Sequence, residues 1–447
     1  MAWNVVILGG GFGGLTTARR LERLLPPHST RITLVNDVNF MLYTPLLPGA
    51  AGGTLEPRHV VVPLREELER TELLLGRVMS ADPVRKVVQV HTAAGHDHEI
   101  SYDQLVVSLG SVSRTLPIPG LTEYALGFKT LSEAIAWRNR LVLTLEEAET
   151  VEDEQERTAL LSYVVVGAGY AGLEGIAELQ DFAADVVDRY PRSRVHGLRF
   201  VLVEARDRVM PEIPAGLAEF ASAELRRRGI EILTGTTIES VDADSVQLST
   251  GERVPTRTVC WTAGVKPHPV VAELGLPLDD NGRIATDSRC SVEGFEDVWA
   301  IGDMAGIPDP ARPGQPCPPT CQHAIRQAKT AAYNVAAALG GSRRRRRFTY
   351  KTLGVFVDMG RHQAVASTAG IRWRGFPAWF LARTYHLAMM PGNKRRTRLV
   401  TDWTVALLFG RDSSELGQLN HQPTLVEQSS GGTAGAGRPA DDQVTLA

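Results

Sequence analysis

An α/β protein with two doubly wound, Rossmann-like dinucleotide-binding domains is predicted by two glycine-rich turns, each set between an apolar strand and an amphipathic helix. The first is VVILGGGFGGL, residues 5–15, in which Val5, Val6, Ile7 and Leu8 run into Gly9, Gly11 and Gly14 at GxGxxG spacing. The second is YVVVGAGYAGLEGIAE, residues 163–178, with Gly167, Gly169 and Gly172 at the same spacing. In each turn the first glycine permits the tight bend, the second has no Cβ to hold a pyrophosphate away, and the third lets helix and strand pack closely. Phe12 and Gly13 open the first helix, and Tyr170 and Ala171 open the second, so both phosphate sites fall at helix N-termini. Two such turns imply two dinucleotides.

The chain has 447 residues, too many for one core, with a net charge of −3 that gives no basic field for nucleic acid. Its four cysteines, Cys260, Cys290, Cys317 and Cys321, lack CxxC spacing and a histidine cluster, so a metal site is not expected and reduced thiols are. No run of about 18 apolar residues is present, and the N-terminus leads directly into a strand, so neither a membrane span nor a signal peptide is expected.

Taken in order, the first helix ends near Pro26 and Pro27, and RITLVND is the second strand of the unit. An acidic side chain usually closes such a strand and takes the ribose hydroxyls; here Asn36 stands there, with Asp37 beside it, and either can serve. Residues 40–54, FMLYTPLLPGAAGGT, are apolar but broken by Pro45, Pro48 and three glycines, which predicts a close-packed loop rather than a regular helix. Period-two segments follow, ending in LVVSLG at Gly110, and LPIPG makes a proline-punctuated exit. A helix and an acidic connection precede the second glycine turn. Beyond it, RFVLVE ends at Glu204, an acid placed to accept from adenosine 2′- and 3′-hydroxyls and to repel a 2′-phosphate, which favours NADH over NADPH despite nearby Arg206 and Arg208. VCWTAGV, with Ala263 and Gly264, closes this second unit as LVVSLG closes the first.

These motifs, with YTPLLPGAAGG, YDQLVVSLGS, IPG, VWAIGDMAG and TCQHAIRQA, stand in the order found in two-dinucleotide flavoprotein reductases. From about residue 4 to about 420 the chain most closely resembles type II, non-proton-pumping NADH dehydrogenases, the single-subunit NADH:quinone oxidoreductases.

The resemblance implies an FAD domain (residues 1–120 and 265–340) interrupted by an NADH domain (121–264), then a C-terminal membrane-association or dimerisation region (341–426) and a disordered tail (427–447). Thr44 and Pro45 would lie near the flavin, Gly302 and Asp303 would hold its ribityl chain and pyrophosphate, and Glu174 would help seat the nicotinamide. Glu178, one turn on, reads as structural. Where the family carries AQxAxQ along its quinone pocket, this chain has Gln322 and then Arg326 in place of the second glutamine. Cys317 and Cys321 invite comparison with a dithiol relay, but no cysteine precedes Cys260 to reach the flavin. The arginine run at 343–347 suits a solvated loop or attraction to anionic headgroups, and the aromatic-rich FPAWFLARTYHLAMM with the segment TDWTVALLFGRD suits a bilayer interface, a homodimer contact or a core helix.

The implied activity is hydride transfer from NADH to FAD and two-electron delivery to menaquinone or ubiquinone, by a peripheral protein on the cytoplasmic face of the cell membrane. The alternatives are a soluble NAD(P)H-dependent reductase of a small redox carrier protein, and a non-enzymatic NADH-binding redox sensor.

Overall fold

The structure is a computed structural model; it describes residues 2–340, 344–350, 352 and 354–415. Expectations for the tail from 427 onward and for Arg343 lie outside these residues.

The first glycine turn joins β1 (Trp3–Leu8) to α1 (Phe12–Leu24), and the chain continues through β2 (Thr30–Asn36), β3 (Glu72–Asp82), β4 (Val87–Thr92), β5 (Asp97–Ser101) and β6 (Gln104–Val107). β1 pairs in parallel with β2, Ile7 opposite Leu34, and with β6, Ile7 opposite Val106. Both faces of the sheet are covered at its centre, so Val5–Leu8 and Leu105–Val107 read as unbroken aliphatic runs.

After α2 (Leu131–Thr150), the second turn joins β7 (Ser162–Val166) to α3 (Tyr170–Val186), followed by β8 (Arg199–Glu204), β9 (Ile230–Thr234) and β10 (Thr258–Trp261). With the two-residue edge strand Ala125–Leu126 these form a five-stranded sheet whose labelled strands run in the order β10-β7-β8-β9. The capping box at the start of α2, where Thr130 and Glu133 satisfy each other's backbone N–H groups, fixes the chain direction just after the crossover.

The chain then crosses back. β11 (Val298–Ala300) pairs in parallel with β6, Trp299 opposite Val106, completing a seven-stranded sheet of order β11-β6-β1-β2-β3-β4-β5. From it the chain enters α4 (Cys321–Gly340), an alanine-rich helix lying against α1. Small residues allow that close approach.

The last part is a three-stranded antiparallel sheet, β12 (Gly354–Asp358), β13 (Ala364–Thr368) and β14 (Ile371–Arg374), followed by α5 (Gly375–Met389) and α6 (Asn393–Phe409). Phe376 and Phe380 on α5, and Val400, Val405, Leu407, Leu408 and Phe409 on α6, are exposed. Among the described residues no helix is long and apolar enough to cross a membrane.

Two expectations change. The segment expected to be an irregular loop contains a short strand at Phe40–Leu42, a 3₁₀ turn at Thr44–Leu46 and one helical turn at Leu47–Ala51. Pro48 falls in that first turn, where a helix has no use for its missing N–H, so the proline starts the turn instead of breaking it. The arginine run also folds back in part: Arg345 lies over the Trp299 ring and Arg346 over Tyr333, at 5.2 and 3.6 Å from the centroids, so these two are not free headgroup ligands.

Candidate active site

Each glycine turn is built to hold backbone close to backbone and leave one side open. Gly9 and Gly167 take φ of 94° and 103°. A Cβ on Gly14 would sit 1.7 Å from the Gly9 carbonyl oxygen, and one on Gly172 would sit 1.8 Å from that of Gly167. At Gly11 and Gly169, by contrast, nothing lies within 4 Å of where a Cβ would be. These two are the N-caps of α1 and α3, and neither helix start receives a side-chain cap. Uncapped N–H groups beside an open, Cβ-free surface suit a pyrophosphate in both turns.

The ends of the second strands answer the sequence's ambiguity. Asn36 Oδ1 accepts from Gly10 N–H at 2.7 Å while its Nδ2 donates to the Val38 carbonyl, and Asp37 is exposed. Glu204 Oε2 accepts from Ala168 N–H at 2.7 Å, and its Oε1 from Arg206 N–H at 3.0 Å. Asn36 and Glu204 therefore occupy the same station in the two units.

Around the first turn, Tyr43 meets Phe12 edge-on at 5.5 Å, which holds the segment of Thr44 and Pro45 over the start of α1. Gly110 and Gly302 both have left-handed φ, 70° and 81°. Asp303 accepts from Ser111 Oγ at 2.6 Å and lies 3.8 Å from Lys129 Nζ, and the buried Gln327 accepts from Gly302 N–H at 2.8 Å. Neither Lys129 nor Gln327 is marked by the sequence as part of this group. In the second unit Ala263 backs the first glycine, since a Cβ on Gly167 would lie 2.9 Å from Ala263 N; Gly264, at φ 98°, follows with open space beside it.

Glu174 sits on the first turns of α3, and its Oε1 accepts from Asp358 N–H of β12 at 2.9 Å. Burial, then the charges of Asp358 and Glu178, push its carboxyl well above the usual range. It lines a cavity of about 30 Å³ with Glu178, Asp358, Arg383, His386 and the Pro45–Leu46 segment. Glu178, expected to be merely structural, has a buried Oε2 without a hydrogen-bond partner, and burial raises its carboxyl to about 7 against the opposing charge of Arg411. Asp358, Arg383 and His386 come from β12 and α5, more than 180 positions beyond Glu174, and no local signal ties them to this helix.

The predicted acceptor side is arranged differently from expectation. Gln322 spends its amide on the protein: Tyr350 Oη donates to its Oε1 at 2.5 Å, and its Nε2 donates to the Gly354 carbonyl at 3.2 Å. Arg326 stacks on the Tyr350 ring at 4.3 Å from the centroid and donates to the Gln322 carbonyl at 3.0 Å. Gln322 thus holds Tyr350 and the start of β12 together. The four cysteines are free thiols, burial pushing Cys317 and Cys321 each to about 11, which makes them poor nucleophiles. Among the described residues no cluster could hold a metal ion.

The pyridine nucleotide-disulphide oxidoreductase family model matches residues 3–328. The type II NADH:quinone oxidoreductase Ndh of Mycobacterium tuberculosis is 31% identical over 441 residues, covering 95% of this chain and 90% of that protein. The chain belongs to this family, in its type II NADH:quinone oxidoreductase branch.

Demethylphylloquinone reductase NdbB of Synechocystis is likewise 31% identical, over 90% of this chain and 97% of that one. The structure of NDH2 from Plasmodium falciparum in complex with NADH superposes with a TM-score of 0.86 over 93% of this chain and all of that one, at 18% identity, which shows a shared fold.

Proposed function

We propose that this oxidoreductase binds FAD on the first glycine turn and NADH on the second, and passes two electrons from NADH to a membrane quinone without pumping protons. The observation that carries the reading is the paired station: two uncapped helix starts, each beside an open glycine, each backed by a side chain, Asn36 or Glu204, that holds the turn. The residues fit FAD. Gly9 and Gly14 leave no room for side chains, Gly11 leaves room for phosphate, and the Asp303–Ser111–Lys129 group lies beside the left-handed Gly302. The chemistry the flavin supplies is acceptance of hydride at N5 from nicotinamide C4 and release of two electrons to quinone.

The chain's own residues align and enclose. Glu204 would take the adenosine ribose hydroxyls of NADH and disfavour a 2′-phosphate. Glu174, held by Asp358 N–H and with its carboxyl pushed up by burial, would hydrogen-bond the nicotinamide carboxamide. The Thr44–Pro45 segment and Tyr43 would cover the ring and exclude water. Gln322 would fix Tyr350, leaving Arg326 as the cation nearest the acceptor. Exposed aliphatic and aromatic side chains on α5 and α6 support peripheral contact with the cytoplasmic face of the membrane, where quinone resides.

The test is an anaerobic NADH titration of the purified yellow protein, followed by menaquinone or ubiquinone analogues. Full bleaching by about one NADH per flavin and rapid recovery of colour on adding quinone are expected. A protein that purifies colourless, or one reoxidised by a protein carrier and by no quinone, overturns the reading.

A further inference from the structure

The acceptor reaction needs a proton that NADH does not bring. A hydride carries two electrons and one proton, whereas a quinol has two O–H bonds, so NADH + H⁺ + quinone gives NAD⁺ + quinol. One proton per turnover must reach a buried site.

The structure contains a place suited to hold it. The cavity between α3, β12 and α5 has room for about two waters at roughly 10–15 Å³ each. Three polar atoms of its wall are buried without a hydrogen-bond partner: Glu178 Oε2, Arg383 Nε and His386 Nδ1. A void lined by apolar groups stays dry, but one with several unsatisfied polar atoms holds water, because each atom would otherwise bear its full desolvation cost.

We propose that this cavity is a proton reservoir for quinone reduction, with Glu178 as the group that gives up the proton and the enclosed water as the bridge. The proposal rests on the quinone reading above. The O–H bond at Glu178 Oε2 breaks, and its proton passes through cavity water toward Glu174 and the Pro45–Leu46 wall. A new O–H bond forms on a quinone oxygen whose electrons came from NADH. Solvent then restores the proton to Glu178.

The charges facing Glu178 allow both forms. Burial, then Asp358 on β12 and Asp181 on its own helix disfavour the carboxylate, while Arg411, 3.8 Å away on the segment after α6, and Arg383 on α5 favour it. His386 is kept neutral by burial, so it bridges water without adding charge. Arg411 also pairs with Asp185 at 3.2 Å, and the half-exposed Asp185 carboxylate connects the cluster to solvent.

The test uses the full chain with its flavin and the variants Glu178→Gln and Glu178→Asp. An infrared pH titration of the protonated-carboxyl C=O stretch, made without turnover, should show a group titrating near 7 in the parent and not in E178Q. In stopped flow, NADH should bleach E178Q within twofold of the parent rate. Reoxidation by a short-chain menaquinone analogue should slow at least tenfold and lose its rise toward low pH. Reoxidation by ferricyanide, which takes electrons without protons, should stay within twofold. E178D should recover the pH dependence at a reduced rate. If E178Q loses the flavin, His386→Phe, which leaves the Glu178–Arg411 pair intact, should show the same quinone-only slowing. Equal slowing with both acceptors, unchanged quinone reoxidation, or no titrating carboxyl overturns the proposal. A parent protein that no quinone reoxidises overturns the acceptor reading, and this inference with it.

Discussion

Glu204 Oε2 accepts the Ala168 N–H at 2.7 Å, and at the matching point of the first unit Asn36 Oδ1 accepts the Gly10 N–H at the same distance. One geometric job is done by a charged side chain in one unit and a neutral one in the other. The charge on Glu204 is therefore not needed to hold the turn, and the proposed function gives that charge the task of discriminating between nucleotides. Glu204→Gln should keep the fold, raise the KM for NADH by about tenfold, roughly 1.4 kcal/mol, and raise the NADPH-to-NADH ratio of kcat/KM. Unchanged discrimination would remove Glu204 from the ribose site.

The third glycine of each turn tolerates nothing larger. A methyl group on Gly172 would meet the Gly167 oxygen at 1.8 Å and Thr262 Oγ1 at 2.5 Å, and backbone cannot yield to that extent without opening the turn. Gly172→Ala should abolish NADH bleaching while retaining FAD, and Gly14→Ala should give protein without flavin. Absorbance of the purified variants, then NADH titration, separates the two. An NADH-competent G172A would show that α3 need not lie so close to β7.

Stability should fall as pH rises toward neutrality. Glu178 is raised from 4.5 to about 7, and Glu174 and Asp358 are raised too, all chiefly by burial. Between about 4.5 and 7 the folded chain holds protons that the unfolded chain releases, so folding is favoured on the acid side of that window and the advantage is lost as pH rises through the folded pKa. Asp181, lowered by Arg411, Arg361 and Arg228, has the opposite sign, but its contribution is lost only as pH falls through its depressed pKa, below the window. The Tm of the parent should drop between pH 5 and 7.5, and E178Q should drop less. A steeper fall in E178Q would contradict the assignment.

Both sheets and both glycine turns were legible because strand, turn and helix are neighbours in sequence and each residue type has a local steric reason. Glu204 was legible for the same reason. The return of the chain to the first sheet at Val298–Ala300 was expected only from family resemblance, since its partner Gln104–Val107 lies nearly two hundred residues earlier. The Glu178 cavity was not legible. Its wall is assembled from α3, β12 and α5, and a glutamate inside an amphipathic helix carries no sign of which distant arginine or histidine will close over it. Gln322 shows the same limit: its motif position points to a ligand, and nothing local foretells that Tyr350 and Gly354, 28 and 32 positions further on, hydrogen-bond its amide.

That engagement makes a last prediction about Arg326, which stands where the family resemblance places a second glutamine. Its guanidinium is fixed over Tyr350 at 4.3 Å, and Tyr350 is fixed by Gln322, so the charge is held in place. A fixed cation favours the acceptor oxygen as it gains electron density, a charge-assisted contact worth about 1.5–3 kcal/mol, or roughly 10- to 150-fold. Arg326→Gln should raise the KM for a menaquinone analogue or lower its kcat within that range, and leave the rate of flavin bleaching by NADH unchanged. Gln322→Ala should have a similar but smaller effect, because it frees Tyr350 to move while the arginine remains. If R326Q instead slows bleaching by NADH, Arg326 belongs to the nicotinamide side, and the acceptor reaches the flavin elsewhere.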